Sequence, residues 1–322
     1  MDAEQTMRST YWWGIPTFLA AEHDPDPAAC DIALVGVPHS SGNGSTERDQ
    51  HLGPRAVRHV SAGYRRRHRR FGIVPHELCR MRDVGDVVMP EFMVSDRAVA
   101  SIQERFHELA VAGARPLAVG GDHSITLPIL RALAAERPVA LVHLDAHLDS
   151  YDRMDSWFGV SDSAAHWASK AVHENLVDPS HSIQLGMRGH MSPWTQANVS
   201  DELGYRVLEK ALCDELGTDG VVDAILERVG ESPIYVSFDL DCLDPSVAPA
   251  VSNLEPGEDG FTMSEASRIL QGLRGLQIVG GDVVCLIPTK DNPNRITAMN
   301  AATILFELAS LTAENIATAN AG

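Results

Sequence analysis

Hydrophobic residues fall into short continuous runs that alternate with longer segments of helical periodicity. The continuous runs are rich in Val, Ile and Leu, which is typical of parallel strands covered on both faces. They predict strands at residues 31–38, 115–121, 138–146, 182–189, 233–241 and 278–288. In the segments between them, apolar residues recur at the spacing of one helix face. These segments predict helices at residues 53–66, 96–113, 124–136, 219–231, 262–275 and 296–315.

This alternation predicts an α/β protein with one mainly parallel central sheet between layers of helices. The sequence contains no internal repeat and no clear linker, so we predict a single domain over residues 1–322. Residues 1–30 are predicted to form an N-terminal arm, and residues 150–181 a long insertion near the site. The length of 322 residues and the hydrophobic share of 44% are ample for a large core.

The net charge of −18 argues against a nucleic-acid partner, because phosphate binding needs a positive surface. One basic run, YRRRHRR at 64–70, is the exception. It could indicate RNA or a membrane surface, but a solvated helix end or a contact between subunits is the favoured interpretation.

Five cysteines are scattered along the chain without a C-x-x-C spacing. Such a set is typical of a reducing compartment, so we predict a cytoplasmic protein. The N-terminus lacks the basic and apolar pattern of a signal peptide. No apolar run approaches the roughly 18 to 20 residues that span a bilayer, and we predict no membrane partner.

Polar residues cluster where three predicted strands end. The strand at 138–146 runs into HLDAHLD at 143–149, the strand at 115–121 runs into GGDHS, and the strand at 233–241 ends in Asp-Leu-Asp. Ligands bind beyond the carboxyl ends of parallel strands, so these side chains are predicted to meet. The group consists of His123, Asp145, His147, Asp149, Asp239 and Asp241.

A metal centre is the favoured interpretation of this group. Alternate residues of a strand share a face, so positions 145, 147 and 149 can converge if the strand stays extended. Carboxylates and imidazoles could satisfy one another, but burying so many ionised groups is costly unless they hold a cation. Two divalent ions about 3.5–4 Å apart would balance four carboxylates. Oxygen-rich surroundings with two imidazoles suit manganese, and nickel is an alternative.

Two such ions predict metal-assisted hydrolysis, because they lower the pKa of a coordinated water from ~15.7 toward about 7. The Gly-rich pieces SSGNGS and VGGDHS match neither a Walker nor a dinucleotide fingerprint. The sequence also has no G-x-S-x-G nucleophile elbow.

Asp122 and Asp244 are interpreted as turn or cap carboxylates. His39 could line the pocket, although an ordinary loop histidine is favoured.

Three segments together resemble the signatures of the ureohydrolases, the arginase and agmatinase superfamily. They are GGDHS at 120–124, DAHLD at 145–149 and SFDLDCLDPSVAP at 237–249. In addition, GPRAVR at 53–58 and GIPTF at 14–18 are similar to bacterial guanidinobutyrase and guanidinopropionase members. The resemblance covers nearly the whole chain. It implies a three-layer α/β/α fold, two manganese ions (nickel in some relatives) and hydrolysis at a guanidino carbon.

The resemblance also implies roles for single residues and an assembly. His143 is expected beside the metal ligands rather than among them. Trimers or hexamers are expected, either of one chain or with a related second chain. Asp145 and Asp239 would bridge the two ions. The other ligands would be His123 and Asp149 for one ion, and His147 and Asp241 for the other.

Two positions depart from the superfamily pattern. Relatives carry His-Gly-Thr-Pro after DAHxD, and its histidine passes a proton to the leaving amine; here residues 158–171 read FGVSDSAAHWASKA. His166 fits that position, and we predict that it is the proton shuttle and contacts the substrate. Relatives read DVVE where this chain reads DVVC and ends the motif with Cys285. The usual glutamate accepts hydrogen bonds from the guanidinium, whereas a neutral thiol is a weak acceptor.

These observations predict an enzyme that acts on a small cationic guanidino-type substrate and releases an amine plus urea or a urea derivative. Because a cysteine behaves as a small, soft hydrophobe, we expect an N-substituted guanidine or a biguanide such as metformin, cleaved to dimethylamine and guanylurea. The alternatives are a guanidinobutyrase or agmatinase, and a non-catalytic partner subunit of the same fold. All six ligand positions are intact, which favours the enzyme.

Overall fold

The structure is a computed structural model that describes residues 14–43, 48–63, 65–151, 161–190 and 199–321, together with residues 3 and 7. Within these residues, nine strands form one sheet, and every neighbouring pair is parallel. The strands are β1 (Glu22–His23), β2 (Ile32–Val37), β3 (Met81–Asp86), β4 (Arg115–Gly120), β5 (Ala140–Leu144), β6 (Ile183–Met187), β7 (Arg206–Glu209), β8 (Ile234–Asp239) and β9 (Ile278–Val284).

The order of the strands is β1-β3-β2-β4-β9-β8-β5-β6-β7. The last strand along the chain, β9, therefore lies in the middle of the sheet between β4 and β8. In the register, Ala118 of β4 is opposite Asp282 of β9, and Asp282 is opposite Ser237 of β8. The three strands that were predicted to deliver polar groups, β4, β5 and β8, lie in this central part of the sheet. Because the sheet is parallel, their carboxyl ends lie on the same side of it.

Nine helices of α type lie in the described residues. They are α1 (Gly53–Ser61), α2 (Pro75–Leu78), α3 (Ser95–Val111), α4 (Thr126–Leu133), α5 (Trp167–His173), α6 (Val199–Leu203), α7 (Lys210–Val229), α8 (Met263–Gly272) and α9 (Ile296–Ala321). Short 3-10 turns, such as His123–Ile125 and Leu240–Cys242, follow several strands.

A separate hydrophobic core covers each face of the sheet. Alternate residues of one strand enter opposite cores: Leu117 of β4 packs with side chains of α7, α8 and α9, whereas Ala118 packs with side chains of α3, α4 and α5. This alternation follows from the two-residue period of a strand. The predicted three-layer α/β/α fold with a parallel sheet is therefore confirmed.

All six predicted strands are confirmed, but β1, β3 and β7 were missed. Strand β3 reads MRDVGD, and its polar residues hide the apolar pattern. One of them, Asp83, is buried because Arg58 of α1 donates to both of its oxygens, at 2.8 and 3.0 Å. A buried ion pair of this kind leaves no hydrophobic signal in a sequence.

The six predicted helices are confirmed with different ends. The prediction at 219–231 corresponds to α7, which begins nine residues earlier, at Lys210, and is kinked at Gly217, where φ is 66°. The predicted insertion at 150–181 contains α5, while its residues 152–160 lie outside the described residues. The single domain stays a prediction. Part of the predicted arm belongs to the folded body, because Phe18 and Leu19 are fully buried and β1 joins the sheet.

Helix α9 is long and apolar enough to cross a membrane by length and composition, so the expectation that no segment approaches this length is wrong. However, 83% of its most apolar 18-residue window is buried inside the protein. Among the side chains of α9, Leu305 and Leu308 pack in the hydrophobic core beside the sheet. This burial is typical of a core helix.

Candidate metal centre

The six predicted ligands come together at the carboxyl edge of β4, β5 and β8. His123 lies in the turn after β4, the DAHLD segment follows β5, and Asp239 ends β8. Gly121 is required for this approach, because a side chain there would overlap the backbone oxygen of His39. Five of the six ligands are buried, and His147 is partly exposed.

The strand alternation that was used to group these residues is wrong in detail. Strand β5 ends at Leu144, before the DAHLD segment begins. Asp149 adopts a left-handed backbone conformation with a φ of 49°, and Asp241 lies in a 3-10 turn. The carboxylates converge through turns in which Asp145 Oδ1 accepts from the backbone nitrogen of His147 at 2.7 Å, and Asp239 Oδ1 accepts from that of Asp241 at 2.9 Å.

Nδ1 of His123 points at three carboxylate oxygens. It lies 3.0 Å from Oδ2 of Asp145 and 3.1 Å from Oδ2 of both Asp149 and Asp239. This nitrogen is buried and has no hydrogen-bond partner among the described residues. A buried nitrogen and three oxygens that face one point match the donor set of a divalent cation. The residues therefore fit the predicted metal.

A second group of donors lies beside the first. Nδ1 of His147 is 3.3 Å from Oδ1 of Asp145 and 3.1 Å from Oδ2 of Asp241. Asp145 thus presents one oxygen to each histidine, as expected of a carboxylate that bridges two ions. The described residues include a set of possible ligands for each position, one with His123 and Asp149, the other with His147 and Asp241.

The protein groups compete for protons at this point. Burial opposes ionisation of Asp145, but the three histidines around it outweigh burial and hold its pKa well below the usual range. Burial alone would lower the pKa of His123, but three carboxylates raise it well above the usual value. For Asp241, burial and neighbouring carboxylates raise the pKa well above the usual range. Such opposed shifts among packed groups are typical of a functional site.

The ring of His123 is oriented by a buried hydrogen-bond chain. Its Nε2 lies 2.8 Å from Oγ of Ser237, whose hydroxyl donates to Asp282 at 2.7 Å. Because the serine proton is used on Asp282, the serine oxygen accepts from Nε2, which leaves the Nδ1 lone pair for a cation. Two further hydroxyls, of Tyr235 and Thr126, donate to Asp282 and satisfy this fully buried carboxylate.

His143 lies beside the ligands, as expected. Its Nε2 is 2.8 Å from Oδ2 of Asp145, and its Nδ1 is 2.9 Å from Nε2 of Gln184. The amide of Gln184 donates to Nδ1, so the Nε2 proton is directed at Asp145. His143 therefore orients a bridging carboxylate rather than offering a free nitrogen.

The structure does not bring His166 to the metal ligands. Its Nε2 donates to the backbone oxygen of Ser161 at 2.8 Å, and its Nδ1 is 3.0 Å from Oγ of Ser163. Within the described residues, neither ring nitrogen contacts a residue of the cluster. The role of His166 as proton shuttle stays a prediction, and the preceding residues 158–160 of the motif lie outside the described residues.

Cys285 does lie at the cluster. Its Sγ, a nitrogen of His123 and an oxygen of Asp239 are all within 4.8 Å of one another. The residue is buried and has a φ of 70°, which is uncommon for a residue other than glycine. Burial and the charges of nearby aspartates raise the pKa of its thiol well above the usual value, so the thiol is neutral.

Other carboxylates have structural roles. Asp122 accepts from the backbone nitrogens of Gly42 and Asn43 at 2.8 and 2.9 Å, and Asp244 caps the turn at Ser246. The prediction that both are turn carboxylates is confirmed. His39 is buried, and its Nε2 has no hydrogen-bond partner among the described residues.

Two further residues that contact the ligands were not predicted from the sequence. The indole of Trp167 donates to Oδ2 of Asp149, and Oε1 of Glu255 lies 3.1 Å from Nε2 of His147. Trp167 directly follows His166, so its place near the site could have been found from the same motif. Glu255 lies in the loop SNLEPGEDG together with other acidic residues, and the sequence alone does not distinguish it from solvated acidic neighbours.

Comparison with known proteins agrees with this geometry. The sequence profile of the arginase family matches residues 30–310 of this chain. The chain belongs to the arginase family. It is a ureohydrolase, a hydrolase of C–N bonds. The family uses a binuclear metal site, and this chain has a cluster of His and Asp side chains that could hold metal ions.

Several relatives match this arginase-family chain over nearly its full length. Guanidinopropionase from Pseudomonas aeruginosa is 39% identical over 94% of this chain and 93% of its own length. Guanidinobutyrase from the same organism is 34% identical over 92% and 91%. The structure of proclavaminate amidino hydrolase from Streptomyces clavuligerus has a TM-score of 0.87 and 32% identity, and covers 95% of this chain and 99% of its own.

Proposed function

We propose that this protein hydrolyses a C–N bond of a guanidino compound at the cluster, with two divalent ions, manganese or nickel, and releases an amine plus urea or a urea derivative. The single observation that carries this proposal is the orphaned Nδ1 of His123 that faces three carboxylate oxygens. One ion would be held by His123 and Asp149, the other by His147 and Asp241, with Asp145 and Asp239 shared between them.

The ions, when bound, supply Lewis acidity and a nucleophile that is active at neutral pH. The residues of the chain supply the placement. Asp145 is held by His143 and by a backbone nitrogen, and Asp239 by a backbone nitrogen of the next turn. Ligands that are fixed in this way need no rearrangement during the reaction. The proposed proton donor to the leaving amine is His166, as the motif predicts.

Charge supports a cationic substrate. The chain has a net charge of −18. A field of this sign attracts small cations and repels anionic substrates.

The favoured substrate is a guanidino acid or another linear alkylguanidine. The relatives named guanidinopropionase and guanidinobutyrase support this choice, as does the group of agmatinases at 34% identity. This favours the predicted alternative over the metformin-like substrate, for which the relatives offer no support.

Cys285 carries the second candidate. A small neutral thiol beside Asp239 leaves room and a less polar wall where the family pattern has a glutamate. The methyl groups of an N-substituted guanidine or a biguanide such as metformin cannot donate hydrogen bonds, so a glutamate beside them would be left unsatisfied. Cleavage of metformin at its substituted carbon would release dimethylamine and guanylurea.

The deciding experiment measures urea and amine release from the purified protein loaded with manganese or with nickel. The substrates are 3-guanidinopropionate, 4-guanidinobutyrate, agmatine, arginine, guanidine and metformin. Release from a linear guanidino compound supports the favoured substrate, and release of dimethylamine from metformin supports the second candidate. Absence of turnover with either metal, in a folded protein, supports the non-catalytic partner subunit and contradicts the proposal.

We also propose a cytoplasmic trimer or hexamer, formed by this chain alone or with a related chain. An exposed apolar segment supports a contact between subunits, since the side chains of Val88, Phe92 and Met93 are 79%, 60% and 82% exposed. Light scattering on the purified chain tests it. A monodisperse monomer with full activity would contradict the assembly.

A further inference from the structure

The two nitrogens of His147 have different tasks. Nδ1 faces Asp145 and Asp241, whereas Nε2 lies 3.1 Å from Oε1 of Glu255. We propose that Glu255 is a positioning residue that orients His147 and thereby sets the affinity of one of the two ions. A carboxylate that accepts the outer N–H of a metal-binding histidine fixes the tautomer and increases the basicity of the ring. The inference rests on the proposed metal centre.

Glu255 is fixed from its other side. The backbone nitrogen of His190 donates to its carboxylate, and its Oε2 lies where a side chain at Gly189 would be. Gly189 has a φ of +83°, and any larger residue there would overlap the carboxylate. The hydrogen bond from His147 lowers the pKa of Glu255 and outweighs the opposing effect of burial. Contacts from His147 on one side and from the turn at 188–190 on the other indicate placement of this carboxylate.

The turn at 188–190 connects this carboxylate to both ligand segments. The backbone nitrogen of Arg188 donates to Ala146 between the ligands of the DAHLD segment, at 3.0 Å. Its guanidinium donates to the backbone oxygens of Asp241, Cys242 and Leu243 at 2.8, 3.2 and 3.1 Å. The same turn thus holds the backbone that carries Asp241 and the carboxylate that holds His147.

The other histidine ligand is oriented in a different way. Nε2 of His123 is 2.8 Å from Ser237, and the chain continues to Asp282 inside the protein. All three of these side chains are buried, whereas the side chains of His147 and Glu255 are 21% and 20% exposed. The two ion positions are therefore unequal. The position at His123 is part of the core, and the position at His147 depends on one loop carboxylate.

The test titrates manganese into metal-free protein and follows binding by calorimetry. The wild type is expected to bind two ions with separate affinities. Glu255→Gln is expected to weaken the weaker site by about 10–100-fold and to leave the tighter site unchanged. Ser237→Ala is expected to weaken the tighter site instead. Glu258→Gln is the matched control, because Glu258 lies in the same loop and accepts from the Gly189 nitrogen at 3.4 Å without contacting His147.

Thermal melting of the metal-free proteins separates positioning from folding. Glu255→Gln should melt near the wild-type temperature, and if it fails to fold, Glu255→Asp, which keeps the charge but shortens the reach, should show the same selective loss. If the wild type binds two ions and the Glu255 variant gives the same binding isotherm as the wild type, the inference is wrong. The proposed function would then remain intact. A wild type that does not bind two ions would overturn the proposed function itself.

Discussion

Trp167 donates its indole N–H to Oδ2 of Asp149 over 3.0 Å. The same oxygen lies 3.1 Å from Nδ1 of His123, and the indole ring packs against His123 with ring centroids 4.9 Å apart. The indole N–H therefore contacts the same carboxylate oxygen that faces His123, and it can fix the direction of that carboxylate. A tryptophan that was not predicted as a site residue therefore completes the buried ion position.

Trp167→Phe is expected to weaken the tighter manganese site by about 10–100-fold, because it keeps the aromatic contact and removes the hydrogen bond to a ligand. Calorimetric titration measures this change. The control is Tyr205→Phe, which removes a buried hydroxyl that donates to the backbone of Ala168 in the same helix, α5, away from the ligands. An unchanged affinity in Trp167→Phe would show that Asp149 holds its position unaided.

Asp145→Asn is expected to reduce manganese binding from two ions to at most one. The reason is that Asp145 presents one oxygen to each histidine, and an amide offers only one. Loss of several kcal/mol of metal assistance corresponds to a decrease in kcat of at least about 10³-fold. Metal analysis and urea release measure both effects.

Asp122→Asn is the matched control for that variant. It makes the same chemical change at a buried carboxylate that caps the loop at Gly42 and Asn43. It should lower stability and keep two bound ions. Near-normal turnover in Asp145→Asn would place the reaction elsewhere.

Cys285→Glu is expected to increase kcat/KM for linear alkylguanidines by about 10–100-fold, since a charge-assisted contact contributes about 1.5–3 kcal/mol. Any turnover of dimethylated substrates should decrease. Cys285→Ser keeps the size without adding a carboxylate, and should keep the wild-type preference. The measurement is the ratio of kcat/KM for a linear alkylguanidine to kcat/KM for a dimethylated substrate. If the wild type already prefers a linear alkylguanidine to every biguanide, the second candidate function is wrong.

His166→Ala is expected to destabilise the protein by about 1–3 kcal/mol, because two side-chain hydrogen bonds are lost in a buried turn. Urea denaturation measures this effect. A proton shuttle would lower kcat in addition, with KM unchanged. Ser163→Ala removes one of the same hydrogen bonds and keeps the imidazole, so it separates the two roles. Normal kcat in His166→Ala would exclude the shuttle.

The stability of the segment after residue 160 is expected to depend on pH through Asp162. Burial opposes the ionisation of Asp162, but hydrogen bonds from Arg131 and Lys170, at 2.6 and 2.8 Å, outweigh it and lower its pKa. A carboxyl with a lowered pKa in the folded state contributes stability above its unfolded pKa, and this contribution is lost as the pH falls through the folded value.

Asp162→Asn should therefore reduce the free energy of unfolding by about 1–3 kcal/mol at pH 7, and the difference from the wild type should shrink below about pH 4. Denaturation at a series of pH values measures it. Asp223→Asn, at an exposed position of α7, is the control and should change little. A difference that is constant with pH would contradict this account.

The central strands could be predicted because burial on both faces leaves continuous apolar runs, as in β2 and β8. Strand β3 could not, because its Asp83 is made tolerable only by Arg58 from a distant helix. At the site, the ligands follow strands in recognisable segments and were found. Glu255 was not, because its contact with His147 depends on the turn at 188–190, which no local pattern connects with that loop.

The position of β9 has a consequence for the order of events during synthesis. His123 follows β4 and Asp239 ends β8, and these two strands are held at their distance by β9, which lies between them and comes last along the chain. A nascent chain that lacks residues 278–284 has no strand that joins β4 to β8 in one sheet. The ribosome must therefore deliver roughly 284 of 322 residues before His123 can join the other five ligands, which follow the adjacent strands β5 and β8. Completion of the six-residue cluster is thus a late step that follows translation of nearly the whole chain.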